Sequence, residues 1–276
     1  QDSQKEGITD EFIIPTATCE NAIITDNDGI IFFNFRPDRL RELASIFTND
    51  DYKCFDRQKI NNLKVVTMMP VTDTVLCPSA FQLQKLDNTL GKYIADLGYS
   101  QLRIAETEKY AHVTYFFDGG EDIIFENEKR ILVPSPKVAT YDQEPEMSAN
   151  MITASLVKEI TTNHEDLVIL NFANGDMVGH TGDFNAAVKA VETVDICIGK
   201  ILENISLDEY TVIITADHGN CEVMRNKDGS INTSHTTNPV PFIVTNKKLK
   251  LNNGCLGDIA PTILYLMGLK RKGVLE

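Results

Sequence analysis

Residues 167–180 read LVILNFANGDMVGH. The first six form a continuous apolar run of strand length, the pattern of a parallel strand covered on both faces. Asp176 and His180 follow four residues apart, so a helical turn after the strand would carry both on one face. From Phe184 onward, Ala187, Val188, Val191, Val194, Ile198, Ile201 and Leu202 recur at helical spacing. A buried strand, a short polar turn and an amphipathic helix make up the repeating unit of an α/β layer.

The alternation extends in both directions. Strands are expected at Ile30–Phe35, Val65–Met69, Leu102–Ala105, Val113–Phe117, Thr211–Thr215 and Val240–Thr245. Helices are expected at Phe81–Leu97, Met151–Ile160 and Ile259–Met267, the last with Pro261 in its first turn, where a missing N–H costs little. The fold class is α/β with a mostly parallel sheet. Elements are sparser before about residue 83, which places a boundary between residues 80 and 90.

Composition sets limits. At roughly 150 residues per domain, 276 residues make about two domains. Apolar residues at 42% and charged residues at 24% are ordinary for a globular protein and exclude wholesale disorder. A net charge of −14 repels phosphate backbones and anionic lipid, so neither nucleic acid nor membrane is an expected partner. An anionic small substrate needs a local cationic pocket. The six cysteines show no CxxC spacing and read as free thiols of a reducing, cytoplasmic compartment. The chain opens on Gln1, not Met, and is expected to be a piece of a longer protein.

The residues able to do chemistry gather at expected strand ends, where sites of open α/β sheets collect. Asp176 and His180 follow LVILNF, Asp217 and His218 follow TVIIT, and His235 precedes VPFIV. Two carboxylates and three imidazoles with no thiolate suit Mn²⁺ or Zn²⁺. Five ligands exceed one tetrahedral ion and fall short of two well-held ions. A second constellation is Asn34-Phe-Arg36-Pro37-Asp-Arg39, in which Pro37 stiffens a turn and two guanidiniums stand close enough to clamp phosphate or carboxylate. Lys109, in ETEKY, reads alone as a surface lysine.

In order, NFRPDR, AETEKYAHVTYFFDGG, PSPKVATYDQEPEMSA, NFANGDMVGHTG, TADHGN and SHTTNPVPF resemble the cofactor-independent phosphoglycerate mutases of the alkaline phosphatase superfamily. The likeness runs from the DEF at residues 10–12 to Leu269. It implies an alkaline-phosphatase-like sandwich plus the remnant of a second α/β, phosphotransferase domain, divided as residues 1–84 and 85–276. It implies interconversion of 3-phosphoglycerate and 2-phosphoglycerate in glycolysis and gluconeogenesis, through a phosphoserine and two metal ions, without bisphosphoglycerate. The ions would be Mn²⁺, with Zn²⁺, Co²⁺ or Mg²⁺ as substitutes. By motif, Asp176, His180 and His235 look like one metal site and Asp217 with His218 like half of the other. Arg36 and Arg39 look like ligands of the substrate's phosphate and carboxylate, and Lys109 like the lysine beside the phosphoserine.

Family members are longer. They begin with the aspartate and nucleophilic serine that complete the second metal site, so the resemblance implies a C-terminal half, inactive alone, whose partner is the missing N-terminal half and which is a monomer when complete. Proline is usual where Gly175 stands. The alternatives are another metal-dependent phosphatase or phosphomutase of the superfamily, or a non-catalytic module that binds metal or an anion.

Overall fold

A four-residue helix, α1 (Asp2–Lys5), precedes the first strand, β1 (Gly29–Phe32). The computed structural model describes every residue except 1, 7, 9–12, 17, 18, 20–22, 73, 83–85 and 271–276, so the DEF motif at 10–12 lies outside the described residues. Its contacts divide the chain into two units, Gln1–Lys85 and Leu86–Glu276.

In the first unit β1 pairs in parallel with β2 (Lys64–Thr67), in a register that sets Gly29 opposite Lys64 and Phe32 opposite Thr67. The crossover between them contains α2 (Pro37–Thr48). Leu40 and Ala44 of that helix pack with Val71 and Val75 in a small core that Phe32 edges. The expected strand Ile30–Phe35 stops at Phe32, because Asn34 turns back: its side-chain oxygen accepts from the Arg36 N–H at 2.8 Å, and Pro37 opens α2. NFRPDR is therefore a helix entry and not a free-standing turn. Arg36 is the cap residue and Arg39 lies in the first helical turn, both exposed.

The second unit runs α3 (Leu90–Asp96), β3 (Gln101–Glu106), α4 (Thr107–Val113), β4 (Glu128–Val133), α5 (Ala149–Asn163), β5 (Leu167–Asn171), α6 (Asn174–Gly179), α7 (Phe184–Glu203), β6 (Ile213–Thr215), β7 (Phe242–Val244) and α8 (Ile259–Leu266). Its main sheet has the order β4-β3-β5, all parallel, with β3 buried along its whole length. Leu102 and Ile104 of β3 meet Ile152, Leu156 and Ile160 of α5 at the centre of one core. A second core joins Ala173 and Val178 to Ala186, Ala187 and Ala190 of α7, where small residues let the helices α6 and α7 approach closely. β6 and β7 form a separate antiparallel pair.

Three expectations need correction. The helix over 81–97 begins only at Leu90, because Thr89 caps it by accepting the Lys92 N–H; residues 83–85 lie outside the described residues. The strand over 113–117 does not form. α4 continues into a tight wind in which Phe116 N–H reaches Ala111 O and Asp118 N–H reaches Thr114 O, so the alternating Val113, Tyr115 and Phe117 belong to turns. β5 is not covered on both faces: past Leu167 it is only half-buried. Among the described residues β5 and β6 do not pair with each other. A cleft of about 1590 Å³ lies along both, with Ile169, Phe172, Val212, Ile214 and Ile201 among its lining residues.

Candidate metal centre

The turn that carries Asp176 forms because β5 ends at Asn171 and Asn174 starts α6 with a buried amide. Asn174 Nδ2 donates to the Pro145 and Glu146 carbonyls at 2.9 and 2.8 Å. Asp176 and His180 then lie one helical turn apart, with His180 Nε2 3.1 Å from Asp176 Oδ1. The extended loop before β7 delivers His235, whose Nε2 stands 2.8 Å from the same oxygen and 3.1 Å from His180 Nε2. The ligand atoms of Asp176, His180 and His235 all lie within 4.8 Å of one another. No other group of three or more such residues is this close among the described residues.

The neighbours orient these groups. His180 Nδ1 lies 2.6 Å from the Thr233 carbonyl, which can only accept, so Nδ1 carries a proton and Nε2 is the nitrogen that faces inward. His235 stacks on His218, ring centroids 3.7 Å apart and 21° from parallel. Burial lowers the His235 pKa against the pull of Asp176, and His218 and His180 press in the same direction as burial, which favours the neutral ring that a metal ligand requires. The two oxygens of Asp176 are divided. Oδ2 takes Lys109 Nζ at 2.5 Å, and Oδ1 takes Asn220 Nδ2 at 2.9 Å and faces the imidazoles. Burial alone would raise this carboxyl; His180, Lys109 and Asn220 outweigh it and hold it ionised well below the usual carboxylate range.

His218 stands at the edge of this group, Nε2 3.9 Å from Asp176 Oδ1 and 3.7 Å from Asp217 Oδ2; Asp217 is exposed. Of the residues singled out in the sequence, the structure thus brings together Asp176, His180, His235, His218 and Lys109, with Asp217 adjoining. Arg36 and Arg39 belong to the first unit. Lys109 is not the surface lysine that its local sequence reads as: it is 5% exposed and carried inward on α4.

The donor set is one carboxylate oxygen and two imidazole nitrogens, convergent and oriented by outer hydrogen bonds, which fits a divalent transition-metal ion. Nearby Cys221 is not competing for it. Its thiol donates to the Gly175 carbonyl at 2.7 Å, and burial, with Asp176 and Glu222 adding, pushes its pKa up to about 11. Asn220 was not legible as a functional residue, since a loop amide has no spacing to betray it.

A family model described as the metalloenzyme superfamily matches residues 31–271. The chain belongs to the metalloenzyme superfamily. Its curated relatives include the 2,3-bisphosphoglycerate-independent phosphoglycerate mutase 2 of Methanosarcina acetivorans, 49% identical over 98% of this chain and 53% of that protein. The 2,3-bisphosphoglycerate-independent phosphoglycerate mutase of Pseudomonas fluorescens is 48% identical over 96% of this chain and 53% of its own length. A solved structure of Leishmania mexicana phosphoglycerate mutase at low cobalt concentration superposes with a TM-score of 0.80 at 29% identity, over 92% of this chain and 50% of that one. The chain spans about half the length of the relatives it matches. No helix among the described residues is long and apolar enough to cross a membrane.

Proposed function

We propose that this chain supplies the metal-binding and part of the substrate-binding machinery of a cofactor-independent phosphoglycerate mutase, which interconverts 3-phosphoglycerate and 2-phosphoglycerate. The carrying observation is the convergence of Asp176, His180 and His235 within 4.8 Å, with buried Lys109 on the other oxygen of Asp176. The 48–49% identity to proteins named 2,3-bisphosphoglycerate-independent phosphoglycerate mutases supports this reading.

In this reading Asp176, His180 and His235 hold one ion, and Asp217 and His218 give part of the ligation of a second. The carboxylate–imidazole set suits Mn²⁺ or Zn²⁺, and the resemblance to the mutases points to Mn²⁺, with Zn²⁺, Co²⁺ or Mg²⁺ as substitutes. Bound there, the ions would lower the pKa of a hydroxyl nucleophile and neutralise charge on a transferring phosphoryl group. The chain's own residues do the rest. Lys109 balances the Asp176 charge in a buried setting and offers an ammonium to a phosphoryl oxygen. Arg36 and Arg39 offer planar forks to the substrate's phosphate and carboxylate, leaving glycerate free to present either hydroxyl. In this reading the nucleophilic serine and the remaining ligands come from outside these 276 residues. We place the boundary between the substrate-binding part and the metal-binding part at residues 84–85, and the compartment as the cytoplasm, where these thiols stay reduced.

Phosphorus NMR of the protein at its relatives' full length, supplied with 3-phosphoglycerate and Mn²⁺ and no bisphosphoglycerate, tests this. The expected result is build-up of 2-phosphoglycerate, abolished by Lys109→Ala, and no turnover from the 276-residue polypeptide alone. Release of inorganic phosphate with no 2-phosphoglycerate would instead support a phosphatase of the same superfamily.

A further inference from the structure

Glu222 lies three residues beyond Gly219 in the segment that carries Asp217 and His218, and it has no part in the ligand set above. Its carboxylate gathers donors from two different segments. Oε2 accepts the Asn220 backbone N–H at 2.7 Å. Oε1 accepts the Thr236 hydroxyl and, at 3.1 Å, Asn238 Nδ2. The same two segments also meet through backbone, where Thr236 N–H donates to Gly219 O at 2.9 Å in an isolated antiparallel bridge. A Cβ at Gly219 would overlap both Glu222 Oε1 and Thr236 Oγ1, so glycine leaves this pair undisturbed.

Each end of this bracket touches the metal centre. Thr236 adjoins His235. Asn220, fixed by Glu222 at its N–H, extends its side chain to Asp176, with Nδ2 2.9 Å from Oδ1 and 3.3 Å from the backbone carbonyl. Asn220 is 5% exposed and its Oδ1 has no hydrogen-bond partner, packing instead against Gly179, where a Cβ would overlap it. The hydrogen bonds that orient the amide are therefore those of Nδ2. A continuous line of hydrogen bonds runs from Asp176 through Asn220 and Glu222 to the residues that follow His235.

We infer that Glu222 is a positioning residue of the metal centre, whose carboxylate sets His235 and Asp176 at bonding distance for one ion by locking their two segments together. The inference rests on the metal-binding reading of Asp176, His180 and His235. A carboxylate is needed because both of its oxygens accept; an amide accepts on one and would turn an NH₂ toward either the Asn220 N–H or the Thr236–Asn238 pair. Outer-sphere partners of metal ligands typically change affinity by about 10–100-fold when lost.

The test uses the 276-residue chain and its Glu222→Gln and Thr236→Val variants, read by Mn²⁺ titration calorimetry and by NMR of the histidine rings before metal is added. Glu222→Gln is expected to bind Mn²⁺ about 10-fold more weakly, with shifted His235 and His218 ring resonances and a thermal midpoint close to the parent's. Thr236→Val, which keeps the shape and removes one donor, is expected to move the same readouts in the same direction by less, and it decides the matter should Glu222→Gln fail to fold. Parent-like affinity together with parent-like ring resonances in both variants would overturn the inference. Should the parent chain itself bind no Mn²⁺, the metal reading fails, while the ring resonances still decide whether Glu222 positions His235.

Discussion

Asp176 and Asp118 are two aspartates set against cations in the same unit, Asp118 buried and Asp176 partly so, yet their acidities move in opposite directions. Asp176 has a donor for each oxygen, Lys109 on one and Asn220 on the other. Asp118 has Arg130 on Oδ2 at 3.1 Å, but its Oδ1 has no hydrogen bond and only Arg103 Nη2 at 3.6 Å. Burial raises Asp118 to about 6 against the pull of Arg103, with Glu128 adding to the rise. Arg103 is itself imperfectly served. It is fully buried, lies 4.1 Å over the Phe117 ring, and leaves Nε and Nη1 without hydrogen-bond partners. Proximity to a cation does not set a carboxylate's behaviour; the count and aim of its hydrogen bonds does. The aspartate held ionised far into acid is the one that faces imidazoles, whereas the other is raised to about 6.

Breaking the Asp176 cluster should have the largest effect. Asp176→Ala leaves Lys109 buried without its partner, which typically costs about 3–5 kcal/mol. Urea unfolding should show that loss, and Mn²⁺ binding should vanish with it. Stability at the parent's level would mean that Lys109 finds water instead.

A pair of glycines sharpens the contrast. A Cβ at Gly179 would overlap Asn220 Oδ1, and a Cβ at Gly91 would overlap Arg103 Nη2 and Asp118 Oδ1. Both Gly→Ala changes overpack and should cost roughly 1–3 kcal/mol. Only Gly179→Ala should also weaken Mn²⁺ binding, and equal affinities in the two variants would erase the distinction drawn between the clusters.

The pH dependence is a smaller effect with a definite sign. Between about 4 and 6 the folded chain keeps a proton on Asp118 that the unfolded chain gives up. Stability from this group is therefore greatest below the unfolded pKa and falls as pH rises through that window. Asp118→Asn should remove up to one proton's worth of that slope in urea titrations, and an unchanged slope would show that Asp118 is not shifted.

The smallest effect is expected at Cys221. Its thiol stays protonated at neutral pH, so Cys221→Ala should leave Mn²⁺ affinity within about twofold, whereas a loss comparable with that of a ligand variant would make sulfur a ligand.

The sequence told more about the first cluster than the second. Asp176 and His180 were legible because four-residue spacing and a preceding apolar run have one local solution, a strand followed by a helical turn. Their meeting with His235, 55 residues on, was legible only from the ordered motifs, since no spacing encodes a loop's return. β4 went unread because its EKR start resembles a surface loop. It is tolerated as a strand because Glu128 and Asp118 offset Arg103 and Arg130, which the parallel register places directly opposite each other. β5 reads as a doubly covered strand, yet its far edge looks onto the cleft shared with β6. Glu222 carried no signal, and Asn220 none beyond closing the TADHGN motif, both being loop residues whose partners only folding supplies.

Calorimetric titration of the 276-residue chain with Mn²⁺ near pH 7, parent beside His235→Ala, tests the central claim most directly. The expected result is saturable binding in the parent that His235→Ala weakens by about 100-fold or more, with both chains equally folded by circular dichroism. Superimposable isotherms from two folded chains would contradict a metal centre at Asp176, His180 and His235.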